Sequence, residues 1–366
     1  MANKRRTKVS PLRADRLGAR ANAPVPFHGA LKLPEVRVHS YNLDIEYQGQ
    51  RLAACTNKRA LRLFFEKWRK IAHASDADPF GRRQSMTFTK RELDAILLSA
   101  NGDARCIIHG AIEDFAGSLA LLTERLLLGE WQQTECIAIG GGLRASNIGE
   151  LIIRRTQALL IHRGLRVELR PIRSDPDDAA LLGAAHLVPS WMLAGHDAIV
   201  AADIGGTNVR IGIVRLHLRR KSDLSKARVW KRVLWRHADQ DPGRDAMVGW
   251  IVKTMQKLIK KAASEGLQLA PYIGVACPGF ISPDGSIGTG SYVLPGDWQS
   301  PRFNLPSKLS GEIPRIGGHE ALVLLHNDAV VQGLSEIPFM RHCRRWGVFT
   351  IGTGFGNARF SNPRAI

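Results

Sequence analysis

Residues 198–214, Ala-Ile-Val-Ala-Ala-Asp203-Ile-Gly205-Gly206-Thr207-Asn-Val-Arg210-Ile-Gly-Ile-Val214, set two apolar runs around a glycine turn. The runs predict a β-hairpin. Glycine at 205 and 206 lets backbone N–H groups approach a polyphosphate, because no Cβ stands in the way. Thr207 adds a hydroxyl donor, and Asp203 can hold a metal directly or through water. A second turn of the same kind stands at Phe349-Thr-Ile-Gly352-Thr353-Gly354-Phe-Gly356. Two such hairpins, the first carrying an acid, imply a polyphosphate ligand.

The bulk composition sets the frame. With 366 residues, 44% of them hydrophobic, the chain can bury a large core and is expected to form two lobes. No apolar run approaches the length of a membrane span, and no secretory signal is visible, so neither a membrane nor a secretory role is expected. Five scattered cysteines (55, 106, 136, 277 and 343) contain no CxxC pair, which reads as a reduced, cytoplasmic protein. The net charge of +19 comes partly from residues 1–20 and partly from a block between Arg215 and Arg236. Such charge favours anionic partners, but charge blocks are most often solvated faces. Nucleic acid is therefore not the expected partner.

Residues 1–30 are basic, contain three prolines and read as a disordered tail. Val36–Cys55 reads as a hairpin ending in a Leu-Ala-Ala-Cys strand. Lys58–His73 spaces its apolar residues as an amphipathic helix, and 91–100 and 104–128 are helical. Cys136-Ile-Ala-Ile-Gly140-Gly141-Gly142 runs a buried strand into a glycine turn before a helix at 148–163. The turn can be a plain strand-to-helix connection or a nucleotide contact. A strand at 165–170 and a helix opened by Asp177-Asp178 follow, with acids at its positive end. Beyond Ala198 come strand hairpins to Leu234, a helix at 244–265, a strand at 272–277 and a helix opened by His326-Asn327-Asp328. Alternating strands and helices define an α/β protein.

Asp328 sits at a strand-to-helix junction, where it can serve as an N-cap or as a general base toward an attacking hydroxyl. Phosphoryl transfer asks a protein to position that hydroxyl, neutralise phosphate charge and exclude water. Beside two phosphate hairpins, the base reading is the stronger. Cys277 reads as a packed strand end, and Glu336 as a support for the Asp328 helix.

Taken together, Asp203-Ile-Gly-Gly-Thr207 with Arg210, Cys277-Pro-Gly279, His326-Asn-Asp328-Ala-Val-Val-Gln-Gly and Gly352-Thr-Gly354-Phe-Gly356 resemble the ROK family of bacterial sugar kinases and repressors. Gly140-Gly141-Gly142 and the Asp177-Asp178 helix look like the family's adenosine-binding segment. The resemblance implies an actin-like (ribonuclease H-like), two-lobed α/β fold. It implies ATP and Mg²⁺ as cofactors, with Asp203 serving the metal. Gly205, Gly206, Thr207, Arg210, Gly352, Thr353, Gly354, Gly356 and Gly140–Gly142 would hold the nucleotide. Asn327 and Asp328 would meet a sugar hydroxyl, and a homodimer is compatible with the fold.

Two departures stand out. The adenosine-like segment precedes the second phosphate hairpin instead of following it, so the motif order looks circularly permuted. A nucleotide lobe of 31–196 plus 347–366 would then enclose an acceptor lobe of 197–346, with the ends of the ordered chain close together. The family's cysteine-rich zinc segment is absent, so no structural zinc is expected. Val293 also replaces the asparagine expected before Leu-Pro-Gly. The expected activity is ATP-dependent phosphorylation of a hexose. The alternative is a catalytically impaired, ROK-like nucleotide- or sugar-binding regulator.

Overall fold

The computed structural model describes residues 24–74, 78–99, 102–142, 144 and 146–363. Strands β1 (Arg37–Tyr41), β2 (Glu46–Tyr47) and β3 (Gln50–Arg51) precede helices α1 (Lys58–His73), α2 (Lys90–Leu97) and α3 (Gly102–Leu128). Next come β4 (Cys136–Gly140), α4 (Asn147–His162), β5 (Glu168–Pro171) and the short helices α5 (Ala179–Gly183) and α6 (Ser190–Leu193). Strands β6 (Ala198–Ile204), β7 (Val209–Arg215) and β8 (Arg228–Trp235) lead through α7 (Arg244–Ser264) to β9 (Leu269–Cys277). After α8 (Leu305–Glu312), the hairpin β10 (Arg315–Ile316) and β11 (His319–Glu320) precedes β12 (Leu322–Asn327). Helix α9 (Asp328–Leu334) and strands β13 (Arg345–Ile351) and β14 (Phe355–Ser361) follow.

Two five-stranded mixed sheets carry the architecture, in the orders β8-β7-β6-β9-β12 and β1-β14-β13-β4-β5. In the first, β6, β7 and β8 form an antiparallel meander, and β9 and β12 add parallel strands beside β6. The second repeats that arrangement, with β13, β14 and β1 as the meander and β4 and β5 as the parallel pair. Its leading strands, however, come last along the chain. The meander closes by antiparallel pairing of β14 with β1, Ser361 opposite Arg37.

Three apolar cores separate the layers. Ala198, Val200 and Ala202 face α7, whereas Ile199 and Ala201 face a middle core containing α5 and α9. Burial on both faces explains why β6 reads as an unbroken apolar run instead of alternating. Ile137, Ile139, Phe349 and Ile351 face a third core with α1–α4. By length and hydropathy α3 also satisfies the composition of a membrane span. Here Ile112, Phe115, Leu119 and Ala120 on it are completely buried in that third core.

In the middle layer α5 crosses α9 with backbones nearly touching. A Cβ added to Gly183 would lie 1.8 Å from the Val331 carbonyl oxygen, so only glycine permits this crossing.

The structure corrects the sequence reading in three places. Leu52–Cys55 forms a 3₁₀ turn, not a strand, so β2 and β3 make only a two-residue ladder, while β1 pairs with β14. Strand β5 starts at Glu168 instead of Leu165. Of the expected disordered tail, residues 1–30, the first 23 lie outside the described residues, and its end is ordered. Gly29 donates its backbone N–H to Leu325 O (3.0 Å), Leu325 N–H donates to His28 Nδ1 (3.1 Å), and Ala30 is buried. This segment occupies the free edge of β12, whose backbone groups need partners.

Candidate functional site

The site lies at the carboxyl ends of parallel strands, where α/β sheets gather their ligands. Ala276 on β9 is in register with Asp203 on β6 and His326 on β12. Asp203, Cys277 and the Asn327-Asp328 pair therefore gather at one edge, since neighbouring strands are about 4.8 Å apart.

Asn327, not Asp328, caps α9. Its Oδ1 accepts from Ala329 N and Val330 N (3.0 and 3.2 Å), and its Nδ2 donates to Gly279 O (3.1 Å) and Asp328 Oδ1 (3.0 Å). Asn327 is fully buried and its amide is consumed within the protein, so in this structure it orients Asp328 and offers no atom to a ligand. Asp328 Oδ1 also accepts from Ala329 N (2.9 Å). Burial, reinforced by the negative charge of Asp203, pushes the Asp328 carboxyl up to about 6. Asp328 nevertheless keeps partial solvent contact. Burial and both acids push the Cys277 thiol well up, which suits a packed strand end and not a nucleophile.

Asp203 is almost wholly buried, and burial raises its carboxyl while Arg210 opposes the shift. Arg210 donates to Asp203 Oδ2 (3.1 Å) and to Asp177 Oδ1 (2.6 Å). Arg232 extends this network to Asp177 (3.7 Å) and Asp178. The acids before α5 thus bind cations on the other sheet's hairpin. The sequence showed the Asp pair and the basic block but not that they meet, because the partners stand 33 and 54 residues apart along the chain.

The two glycine turns come into contact. Thr207 and Thr353 share a 2.6 Å hydrogen bond between their hydroxyls. His237, unremarked in the sequence, donates from Nε2 to Gly205 O (2.8 Å) and steadies the first turn. An added Cβ at Gly352, Gly354 or Gly142 would meet nothing within 4 Å, and none of these residues has positive φ. Internal packing gives no reason for glycine there. Other glycines serve the fold. Gly141 combines φ of 81° with close contact to Ile351, Gly140 lies against Gln332, and Gly356 lies against Thr350. An added Cβ at Gly206 would be 2.9 Å from Val293, so the residue replacing the expected asparagine covers the first turn. Gly205 has only Asn208 O nearby, at 3.3 Å.

Strand order shows an α/β protein built on two mixed sheets of like order, the class that the sequence predicted. No protein-family profile and no curated protein matches the chain. Among solved structures it is similar to a Cytophaga hutchinsonii protein assigned as a sugar kinase (21% identity; 45% of this chain and 48% of that chain; TM-score 0.33). A Listeria monocytogenes protein assigned as an N-acetylmannosamine kinase is similar at 24% identity (45% and 47% of the chains; TM-score 0.33). A ROK family protein from Streptococcus pneumoniae TIGR4, in complex with sucrose, is similar at 21% identity (46% and 47%; TM-score 0.33). The chain spans just under half the length of each of these three proteins.

Proposed function

We propose that this protein is an ATP-dependent sugar kinase. The observation that carries the reading is the Thr207–Thr353 contact, which joins two glycine turns at a site that also contains the coupled acids Asp203 and Asp328. Backbone amides of both turns and the two threonine hydroxyls hold the phosphates. Asp328 accepts the proton of a hexose hydroxyl as it attacks the γ-phosphorus, and Asn327 fixes the carboxylate for that step. Closure of the lobes excludes water, which competes as an acceptor.

Among the described residues, no group of three or more His, Cys, Asp or Glu is placed to hold a metal. The donor set of Asp203 with nearby Asp328 still fits Mg²⁺, which keeps several waters and takes its remaining ligands from phosphate. Asp203 would hold it, and the ion would neutralise phosphate charge. We further propose that the chain order is a circular permutation of the family's, supported by the pairing of β14 with β1.

The test is ADP release from Mg²⁺-ATP across hexoses, amino sugars and N-acetylated sugars. Asp328→Ala should abolish sugar-dependent release, by about 10²-fold or more, with ATP affinity retained. Unchanged turnover in the variant would remove Asp328 from the chemistry. A second reading, a nucleotide- or sugar-binding regulator, is favoured by the engagement of Asp203 by Arg210. Tight ATP binding without release on any sugar would select it.

A further inference from the structure

Cationic residues are bonded to two of the glycine turns, and another stands beside the residue that holds the third. Lys58 opens α1, and its backbone N–H donates to Gly352 O in the second phosphate turn (2.9 Å). Lys90 opens α2, and its Nζ donates to Gly142 O (2.9 Å). Arg236 follows β8 and directly precedes His237, which holds Gly205 of the first turn. Its Nε is tied to Asp239 (2.8 Å) at the surface.

Folding does not explain this arrangement. Helix α1 starts Lys58-Arg59 with no acid in its first turn, the reverse of what the helix dipole favours. The charges acting on Lys58, from Arg62, Arg236 and Lys90, are all positive, and after burial they help draw its ammonium down. Among the described residues, no hydrogen bond or ion pair engages the Lys58 side chain. Like charges gathered around it repel one another, and an anion between them converts that repulsion into binding.

We propose that Lys58, Lys90 and Arg236 form a cationic collar that grips the phosphate tail of a nucleoside triphosphate lying across the Thr207–Thr353 contact. This deepens the nucleotide reading above and rests on it. Lysine suits the task as a mobile point charge on a long stem, able to follow the terminal phosphate. The collar reads charge and length of the tail, not the base. It therefore ranks ligands as triphosphate over diphosphate over monophosphate.

Titration calorimetry with ATP, AMP and inorganic tripolyphosphate tests the collar. Lys58→Ala should raise the Kd for ATP and tripolyphosphate about tenfold or more, leave AMP unchanged, and be largely rescued by Lys58→Arg. Arg236→Ala should act in the same direction, and circular dichroism should match wild type because both residues lie at the surface, Lys58 only partly covered. Wild-type binding of ATP with an unchanged Kd in both alanine variants would overturn the collar while leaving the kinase reading intact. Binding of tripolyphosphate but not ATP by the wild type, weakened in Lys58→Ala, would support the collar and sink the ATP reading. Binding of neither by the wild type would overturn both.

Discussion

Asp328 shows how much chemistry a single position carries. Its carboxyl titrates near 6 in the folded protein against 3.8 for the free side chain, first because of burial and then because of Asp203. A base must be ionised, so kcat/KM should fall about tenfold per pH unit below that value and level off above it. A profile flat down to pH 5 would mean that another group takes the proton. The same shift affects stability. Because the folded pKa is the higher one, the ionised carboxylate destabilises the fold above about pH 6, and the penalty disappears as pH falls from 6 towards 4. Asp328→Asn should therefore abolish transfer yet stabilise the protein at pH 8 by about 1–2 kcal/mol, a discounted figure because solvent still reaches the group. Thermal melts should show a gain of about 2–4 °C at pH 8 that shrinks at pH 5. A loss of stability at pH 8 would refute the strained-carboxylate account. Asp203 and Asp328 were legible as acids beside glycine turns and a strand end. The role of Asn327 was not, because a cap is defined by which side chain meets the free amides, and adjacent Asn and Asp compete for them.

At the scale of elements, periodicity found most of the helices. The reading of 58–73 coincides with α1, whose apolar stripe faces the third core. It misassigned Leu52–Cys55 because four apolar or small residues suit a strand and a 3₁₀ turn equally, and only the available partner decides. It also missed the close crossing of α5 and α9. In the sequence Gly183 is one small residue among several in a helix, yet its missing Cβ lets the Val331 carbonyl approach. Gly183→Ala should cost about 1–3 kcal/mol or more in urea denaturation, because the obstacle is backbone and not a movable side chain. An unchanged midpoint would mean that the helices can separate freely. Since α9 carries Asp328, the same variant should also lower turnover if the crossing sets the catalytic geometry.

At the scale of the whole molecule, the two sheets share one strand order while the chain enters them at different points. If the order is permuted, connectivity between β14 and β1 is dispensable, because their pairing is made by the ladder. A chain cut at Gly195 and rejoined from Pro363 to Pro24 through a flexible linker should fold, melt within a few degrees of the parent and bind the same ligands. Failure to fold as a soluble, cooperative unit would show that the present chain order is essential to the architecture.

The sequence by itself determined the α/β class, the two glycine turns and the acids Asp203 and Asp328 near them. These depend on local features: apolar runs, glycines and acids at fixed short spacing. Tertiary structure alone decided that Thr207 meets Thr353, that Arg210 and Arg232 hold Asp177 and Asp178, and that Lys58 and Lys90 are bonded to two of the glycine turns. Those contacts join residues far apart in the chain, and no spacing rule fixes them. They arise only when two sheets pack about a shared pair of helices and bring their loop ends together.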